Sequence, residues 1–248
     1  MLSNPQNSHH ALNLHQVAFG LRSGVLGASN NRMGVWTQGC SLTKCSGCAS
    51  VHTWSAAKGT LVPVDKLIIL ARGQSAAPSG LTISGGEPTD QSVVVRELVK
   101  QFRSAFPGTE VLLYSGMPWQ DLERRHPELL ALLDVVVAGP YEGGAATPLA
   151  GSANQTVRLL TPLADALYGN WRDWPIHVQQ VSATSERQLV TVGIPDTVRM
   201  QEAAVEARAV TVSWQRQPQA EKRVRRNRAS SSWVGNMNHK GKNRAEVK

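Results

Sequence analysis

The chain has 248 residues, of which 41% are hydrophobic, enough to bury a sizeable core in one large domain or in one domain with appendages. No apolar run approaches the roughly 18–20 residues that a bilayer-spanning helix needs, which excludes such a helix. The formal net charge of +8 comes from residues 216–248, which hold ten Lys and Arg against two Glu. Because the remaining charges cancel, the body of the protein gives no electrostatic reason to expect nucleic-acid binding.

The N-terminal region predicts a flexible segment followed by strands. Residues 1–13 are polar, and they show no basic patch before an apolar core, so no secretory signal is indicated. Apolar and polar residues alternate over 12–26, which predicts an early strand or hairpin. A turn over 27–32 then leads into a strand over 33–38.

All three cysteines of the chain follow that strand directly. Cys40, Cys45 and Cys48 lie within nine residues, too close for a disulfide scaffold, and three thiols would leave one unpaired. Clustered thiolates favour a soft metal centre, either zinc or an iron–sulfur cluster. Structural zinc needs four protein ligands, and His52 is the nearby fourth candidate. An iron–sulfur cube on three cysteines would keep one iron open for another ligand.

A glycine pair follows the next predicted strand. Residues 63–72 have the apolar spacing of a helix, and residues 81–84 predict a short buried strand. The segment Gly85-Gly86-Glu87-Pro88 then turns sharply and can bring its backbone close to a ligand. The same pattern is also typical of an ordinary strand-to-helix turn, in which Glu87 only caps the following helix.

Helices and strands continue to alternate downstream. The predicted elements are a helix over 91–106, a strand over 110–114, a helix over 119–133 that Pro127 kinks, and strands at 134–138 and near 157. This alternation predicts parallel pairing with right-handed crossovers. Strands near 35, 82, 112, 136 and 157 are too few for a complete eight-stranded barrel.

The C-terminal third predicts a small appendage and a tail. Residues 165–180 look irregular, 188–193 predict a strand, Asp196 can cap a helix over 198–209, and residues 210–214 predict a last strand. The expected organisation is a flexible N-terminus (1–13), a barrel domain (14–165), a small α+β appendage (166–215) and a basic disordered tail (216–248).

Four stretches give the chain a family resemblance: GVWTQGCSLTKCSGCAS, LTISGGEPTDQ, LLYSGMPWQDL with LLDVVVAGPYE, and GSANQTVRLL. Together they resemble radical S-adenosylmethionine (SAM) enzymes of the activase type, above all the activating proteins of anaerobic ribonucleotide reductase. The resemblance implies an open, partial parallel β/α barrel. One departure is the spacing: four residues separate Cys40 from Cys45, where the family usually has three.

The resemblance also implies the cofactors and the partners. A [4Fe–4S] cluster on the three cysteines would chelate the methionine end of SAM, and its electron would give a 5′-deoxyadenosyl radical. The partner would be a glycyl radical enzyme, and flavodoxin or ferredoxin would supply the electron. Free thiols and the lack of an export signal indicate the cytoplasm. No membrane partner is expected, and nucleic acid is expected only non-specifically through the tail.

The resemblance further assigns candidate SAM-binding residues. Besides Gly85-Gly86-Glu87-Pro88, these are Ser84 beside the glycine turn, Ser115 at the next strand end, and Asn154 with Gln155 in the GSANQ stretch. Each also fits a purely structural role. Two other functions stay open: a radical SAM enzyme acting on a small molecule of the deazapurine type or on a peptide, and a zinc-stabilised interaction module without catalytic activity.

Overall fold

The computed structural model describes residues 10–24, 26–43, 45–176, 179–183 and 189–193. The strands in this part of the chain are β1 (Ala11–Leu21), β2 (Arg32–Thr37), β3 (Thr60–Pro63), β4 (Gly80–Gly85), β5 (Glu110–Ser115), β6 (Val135–Ala138), β7 (Thr156–Leu159), β8 (Gln179–Ala183) and β9 (Leu189–Gly193). The α-helices are α1 (Val64–Arg72), α2 (Ser92–Ala105), α3 (Trp119–Arg125), α4 (Pro127–Leu130) and α5 (Pro162–Tyr168). Short 3₁₀ turns lie at Val51–Thr53, Ala56–Lys58, Pro88–Gln91 and Trp171–Asp173.

Seven strands form one open sheet in the order β3-β1-β2-β4-β5-β6-β7. Strands β2, β4, β5 and β6 run parallel, while β1 is antiparallel to both of its neighbours and β7 is antiparallel to β6. The predicted mixed α/β class and open sheet are therefore confirmed. Parallel pairing was wrong for β7, because the connection after β6 contains no helix and the chain returns directly along β6.

Other sequence predictions change at their boundaries. Strand β1 begins at Ala11 and buries Leu12, so the end of the N-terminal segment belongs to the sheet. The prediction that residues 165–180 are irregular was wrong up to residue 168, where helix α5 ends. Thr161 caps this helix by accepting a hydrogen bond from Ala164 N–H. Tyr168 and Trp171 also pack into the core beyond the expected boundary at 165.

The C-terminal predictions are tested only in part. The predicted strand at 188–193 is confirmed as β9, which pairs antiparallel with the unpredicted strand β8 in a separate two-stranded sheet. The expected helix over 198–209, the strand over 210–214 and the tail over 216–248 lie outside the described residues.

The parallel strands form the centre of the core. Strand β6 is buried at every position, as is typical of a parallel sheet that is covered on both faces. Helix α2 packs its apolar stripe against the sheet, and the buried members of that stripe are Val95, Leu98, Val99 and Phe102. Among the described residues, no helix has the length and apolar character needed to cross a membrane.

A buried ion pair ties the amino ends of the parallel strands together. Arg32 begins β2 and reaches across β4 to Glu110, which begins β5, and both side chains are fully buried. The guanidinium also donates to Thr82 Oγ1 at 2.9 Å and to the Leu81 carbonyl at 3.0 Å. Gly80 lies between the pair, where a Cβ would lie 2.5 Å from Arg32 Nη1, so only glycine lets the two side chains meet.

The opposite edge of the sheet carries the loops of functional interest. Strand register aligns Thr37 of β2 with Gly85 of β4, and Ser115 of β5 with Ala138 of β6. Ligands of open α/β sheets bind at the carboxyl ends of the strands. The cysteine loop, the glycine turn and the segments after β5 and β6 therefore meet at this edge.

Candidate iron–sulfur and SAM site

A cleft of about 170 Å³ opens at the carboxyl edge of the parallel strands. Its lining combines the cysteine loop with the ends of β4, β5 and β6. The lining residues are Cys40, Leu42, Cys45, Cys48, Ala49, Ser50, Trp54, Ser84, Gly85, Gly86, Glu87, Tyr114, Ser115, Gly116, Gly139, Tyr141 and Gln155. The structure thus brings two motifs that lie about 40 residues apart in sequence into one cavity.

The cysteine loop is held by backbone hydrogen bonds at its base. Gly39 N–H donates to the Thr53 carbonyl at 2.7 Å, and Cys40 N–H donates to the Trp54 carbonyl at 3.1 Å. Within the loop, Cys48 N–H donates to the Cys45 carbonyl at 3.3 Å. The three thiols are free and partly exposed, so each can reach a ligand in the cleft.

Close backbone approach explains both glycines of the turn. A Cβ on Gly85 would lie 2.3 Å from Thr37 N, and a Cβ on Gly86 would lie 2.0 Å from the Gly39 carbonyl oxygen. Hydrogen bonds join the same segments, because Gly86 N–H donates to the Thr37 carbonyl and Glu87 N–H to the Gly39 carbonyl, each at 2.9 Å. The glycine turn is therefore packed directly on the base of the cysteine loop.

Glu87 is buried and accepts four hydrogen bonds from the protein. Its Oε1 accepts from Thr89 N–H, Thr89 Oγ1 and Ser115 Oγ, and its Oε2 accepts from Gly116 N–H. Burial raises the pKa of Glu87 above its ordinary value, although these four donors act in the opposite direction. The carboxylate caps the following turn, as the structural alternative predicted, and it also joins β4 to the end of β5.

The other predicted SAM-binding residues differ in their placement. Ser84 and Ser115 both line the cleft, but the Ser115 hydroxyl already donates to Glu87 Oε1 at 2.9 Å and accepts from Met117 N–H at 3.0 Å. Pro88 is buried in the 3₁₀ turn and is not part of the cleft lining. Asn154 donates to the Pro140 carbonyl at 2.8 Å outside the lining, while its neighbour Gln155 lines the cleft.

The donor set fits an iron–sulfur cluster. Within the described ranges, no three His, Cys, Asp or Glu side chains converge closely enough to hold a single metal ion. A cube of four irons takes each thiolate on a different iron, so its ligands are spread around the cluster. His52 packs its ring against His15 at 4.6 Å between centroids and is not part of the cleft lining. Three thiols line one cleft and His52 does not line it with them, which fits a cluster held by the cysteines alone.

The surroundings of Cys40 disfavour a free thiolate. Burial, followed by the negative charges of Glu87 and Asp90, raises the pKa of the Cys40 thiol. Thiols coordinate metals as thiolates, and metal binding itself expels the proton.

A second cavity of about 180 Å³ adjoins the cleft. The two share Ala49, Ser50, Ser84, Tyr114, Tyr141 and Gln155 as lining residues. Trp36 and Leu149 line the second cavity, and its described lining includes no charged side chain. Sequence reasoning missed Tyr141 and Leu42 as lining residues, because a single aromatic or leucine in a loop carries no motif.

Comparison with known proteins identifies the family. Residues 26–158 match the family described as the 4Fe-4S single cluster domain. The chain belongs to this family. The match covers both the cysteine loop and the glycine turn, which agrees with their meeting in one cleft.

Curated relatives carry an activase name. The anaerobic ribonucleoside-triphosphate reductase-activating protein of Vibrio cholerae is 29% identical over 55% of this chain and 93% of its own length. The proteins of that name from Escherichia coli K12 and Salmonella typhimurium are each 25% identical over the same shares. These matches confirm the resemblance to activating proteins of anaerobic ribonucleotide reductase. Among solved structures, QueE from Escherichia coli matches 47% of this chain and 58% of its own, with 16% identity and a TM-score of 0.34.

Proposed function

We propose that the chain is a radical SAM activase. In this proposal Cys40, Cys45 and Cys48 hold a [4Fe–4S] cluster, SAM binds in the same cleft, and the substrate is a backbone glycine of a partner enzyme. The observation that carries it is the single cleft shared by the three thiols and the glycine turn. When bound, the cluster supplies one electron that cleaves the sulfonium C–S bond of SAM into methionine and a 5′-deoxyadenosyl radical. A hydrogen atom would pass from the Cα of the substrate glycine to the 5′-deoxyadenosyl group, so the partner would carry a glycyl radical and 5′-deoxyadenosine would be released.

The chain's own residues bind and orient the cofactors. Gly85 and Gly86 line the cleft and carry no side chain, so a ligand can lie close to their backbone. Within the part of the chain that the structure describes, Glu87 Oε2 accepts one hydrogen bond, from Gly116 N–H, so it keeps room to accept another from the SAM ammonium. Ser84 and Gln155 provide further polar groups in the lining.

The aromatic side chains around the cleft exclude water. Trp54 and Tyr141 line it beside the cysteines, and Trp36 lines the adjoining cavity. A dry site protects a reactive radical from side reactions. We assign these three side chains to shielding, which requires bulk and no polar chemistry.

The uncharged second cavity favours a protein substrate over an anionic small molecule. A ligand that bears a carboxylate or phosphate is best held by a cation in a buried site. The described lining contains hydroxyl and amide side chains, among them Ser84, Thr147 and Gln155, but no Lys, Arg or His. An extended glycine-containing segment needs no such charge.

Partner-dependent turnover tests the proposal. The reconstituted protein is incubated anaerobically with SAM and dithionite, with or without an anaerobic ribonucleoside-triphosphate reductase, and 5′-deoxyadenosine is quantified. We expect the reductase to stimulate 5′-deoxyadenosine formation and to acquire an organic radical signal in electron paramagnetic resonance (EPR) spectra. Equal 5′-deoxyadenosine in both samples, with no protein radical, would contradict the activase assignment and favour a small-molecule enzyme. Cys45→Ala is the control that should abolish turnover.

A further inference from the structure

The 3₁₀ turn after the glycine pair holds the backbone on both sides of Cys40. On one side, Gln91 Nε2 donates to the Gln38 carbonyl at 3.1 Å. On the other side, Ser41 donates its N–H to Asp90 Oδ2 and its hydroxyl to Asp90 Oδ1, each at 2.7 Å. Two consecutive residues of one turn, Asp90 and Gln91, thus hold the backbone two residues before and one residue after a predicted cluster ligand.

The turn is itself anchored on the sheet. Asn13 N–H of β1 donates to Gln91 Oε1 at 2.8 Å, and Gln91 Nε2 donates to the Asn13 carbonyl at 3.1 Å. Asn13 Nδ2 also donates to the Ala56 carbonyl at 2.8 Å, on the far side of the cysteine loop. Asp90 therefore extends from a fixed support, so its two hydrogen bonds can restrain the loop.

The restraint falls where the cysteine spacing departs from the family. Of the four residues between Cys40 and Cys45, Ser41 is held by Asp90. Leu42 packs against Gly116, where a Cβ would lie 2.8 Å from Leu42 Cδ1. The longer spacing therefore does not leave the start of the loop unsupported.

Asp90 also places a negative charge near Cys40. The side chain is exposed, and its two hydrogen bonds to Ser41 hold the carboxylate beside the residue that follows Cys40. A negative charge near a metal centre disfavours the addition of an electron, and solvent screening keeps that effect small at an exposed site. The Asp90 carboxylate would thus act in two ways: its hydrogen bonds would hold the loop, and its charge would act on the metal centre.

We propose that Asp90 is a positioning residue for the cluster: it holds the loop at Ser41 and makes the cluster harder to reduce. The second half of this proposal rests on the proposed binding of a cluster by Cys40 and its two neighbours. The first half concerns the protein without iron. Two experiments separate them.

Hydrogen exchange of the iron-free full chain tests the restraint. Loss of a charge-assisted hydrogen bond should speed exchange of the peptide over 40–43 about fivefold in Asp90→Ala. Asp90→Asn should exchange almost as slowly as wild type, because the asparagine Oδ1 still accepts a hydrogen bond from Ser41. Asp65→Ala removes an exposed carboxylate from α1 and should change nothing at this peptide. Equal exchange in Asp90→Ala and wild type would overturn the restraint.

Iron content and reduction potential test the effect of the charge. Reconstituted Asp90→Asn should hold as much iron as wild type but titrate at a more positive potential when EPR monitors the reduced cluster. The control Asp65→Asn should have the reduction potential of wild type. If Asp90→Asn also has that potential, Asp90 has a structural role alone and the charge effect is refuted. A wild-type chain that binds no iron would refute the proposed function instead, and the exchange data would still decide the restraint.

Discussion

Gly86→Ala should disrupt the contact between the glycine turn and the cysteine loop. Its Cβ would lie 2.0 Å from the Gly39 carbonyl oxygen and 2.7 Å from the Gly39 carbonyl carbon, whereas real Cβ atoms essentially never come within 3.0 Å. The carbonyl must therefore move by about 1 Å. That same oxygen accepts the hydrogen bond from Glu87 N–H at 2.9 Å, so the movement also breaks this bond.

The expected cost of this substitution is about 2–4 kcal/mol. Overpacking costs about 1–3 kcal/mol, and a lost hydrogen bond adds about 1 kcal/mol. This is a large share of the roughly 5–15 kcal/mol that stabilises an ordinary domain. Anaerobic urea unfolding of the iron-free chain measures the loss, and the iron content after reconstitution should fall in parallel.

Gly73→Ala is the matched control for this experiment. Gly73 has ordinary right-handed backbone angles at the end of α1, and its added Cβ would meet no atom closer than 3.5 Å. The control should retain the stability and iron content of wild type. If Gly86→Ala also retains both, the close packing of turn and loop is not needed, and the reasoning is refuted.

Three further substitutions test the buried groups and the cleft lining. Arg32→Met leaves Glu110 as an unpaired buried charge and should lower the free energy of unfolding, measured in urea, by about 3–5 kcal/mol. The double variant with Glu110→Leu should recover most of that loss, and no recovery would contradict the pairing. Burial raises the pKa of Glu87, so the folded chain keeps a proton that the unfolded chain has released. The free energy of unfolding should therefore fall as the pH rises from the ordinary Glu range through the raised pKa, and Glu87→Gln should remove this part of the pH dependence; an identical slope in both proteins would contradict it. Gln155→Ala should weaken SAM binding by the reconstituted protein severalfold in calorimetry, while Asn154→Ala should leave it unchanged, and equal effects would contradict the lining as described.

Local sequence patterns predicted the elements of the site well. Apolar spacing placed α2 and the parallel strands close to their observed bounds, because burial on a sheet or against it imposes a regular pattern. Strand ends in a parallel sheet share one edge, so the convergence of the cysteine loop and the glycine turn followed from the order of elements alone. The apolar spacing did not predict the direction of β7, because that direction depends on the length and course of the loop after β6, which contains no helix.

Long-range polar contacts could not be predicted from the sequence. Asp90 reads as an ordinary polar residue after a turn, yet it holds Ser41, 49 residues away in the chain. Arg32 and Glu110 lie 78 residues apart and meet only because Gly80 leaves space between them. Such pairs depend on tertiary geometry and leave no periodic signal. The sequence also could not separate two roles of Glu87, because capping the following turn and the proposed binding of SAM depend on the same motif.

EPR spectroscopy of the anaerobically reconstituted and reduced chain, with and without SAM, is the most direct test of the central claim. If Cys40, Cys45 and Cys48 hold a cube with one iron open, the reduced protein will show an iron–sulfur signal that SAM changes, and Cys48→Ala will lack it. A signal that SAM leaves unaltered, or a protein that takes up zinc and no iron, would contradict the account.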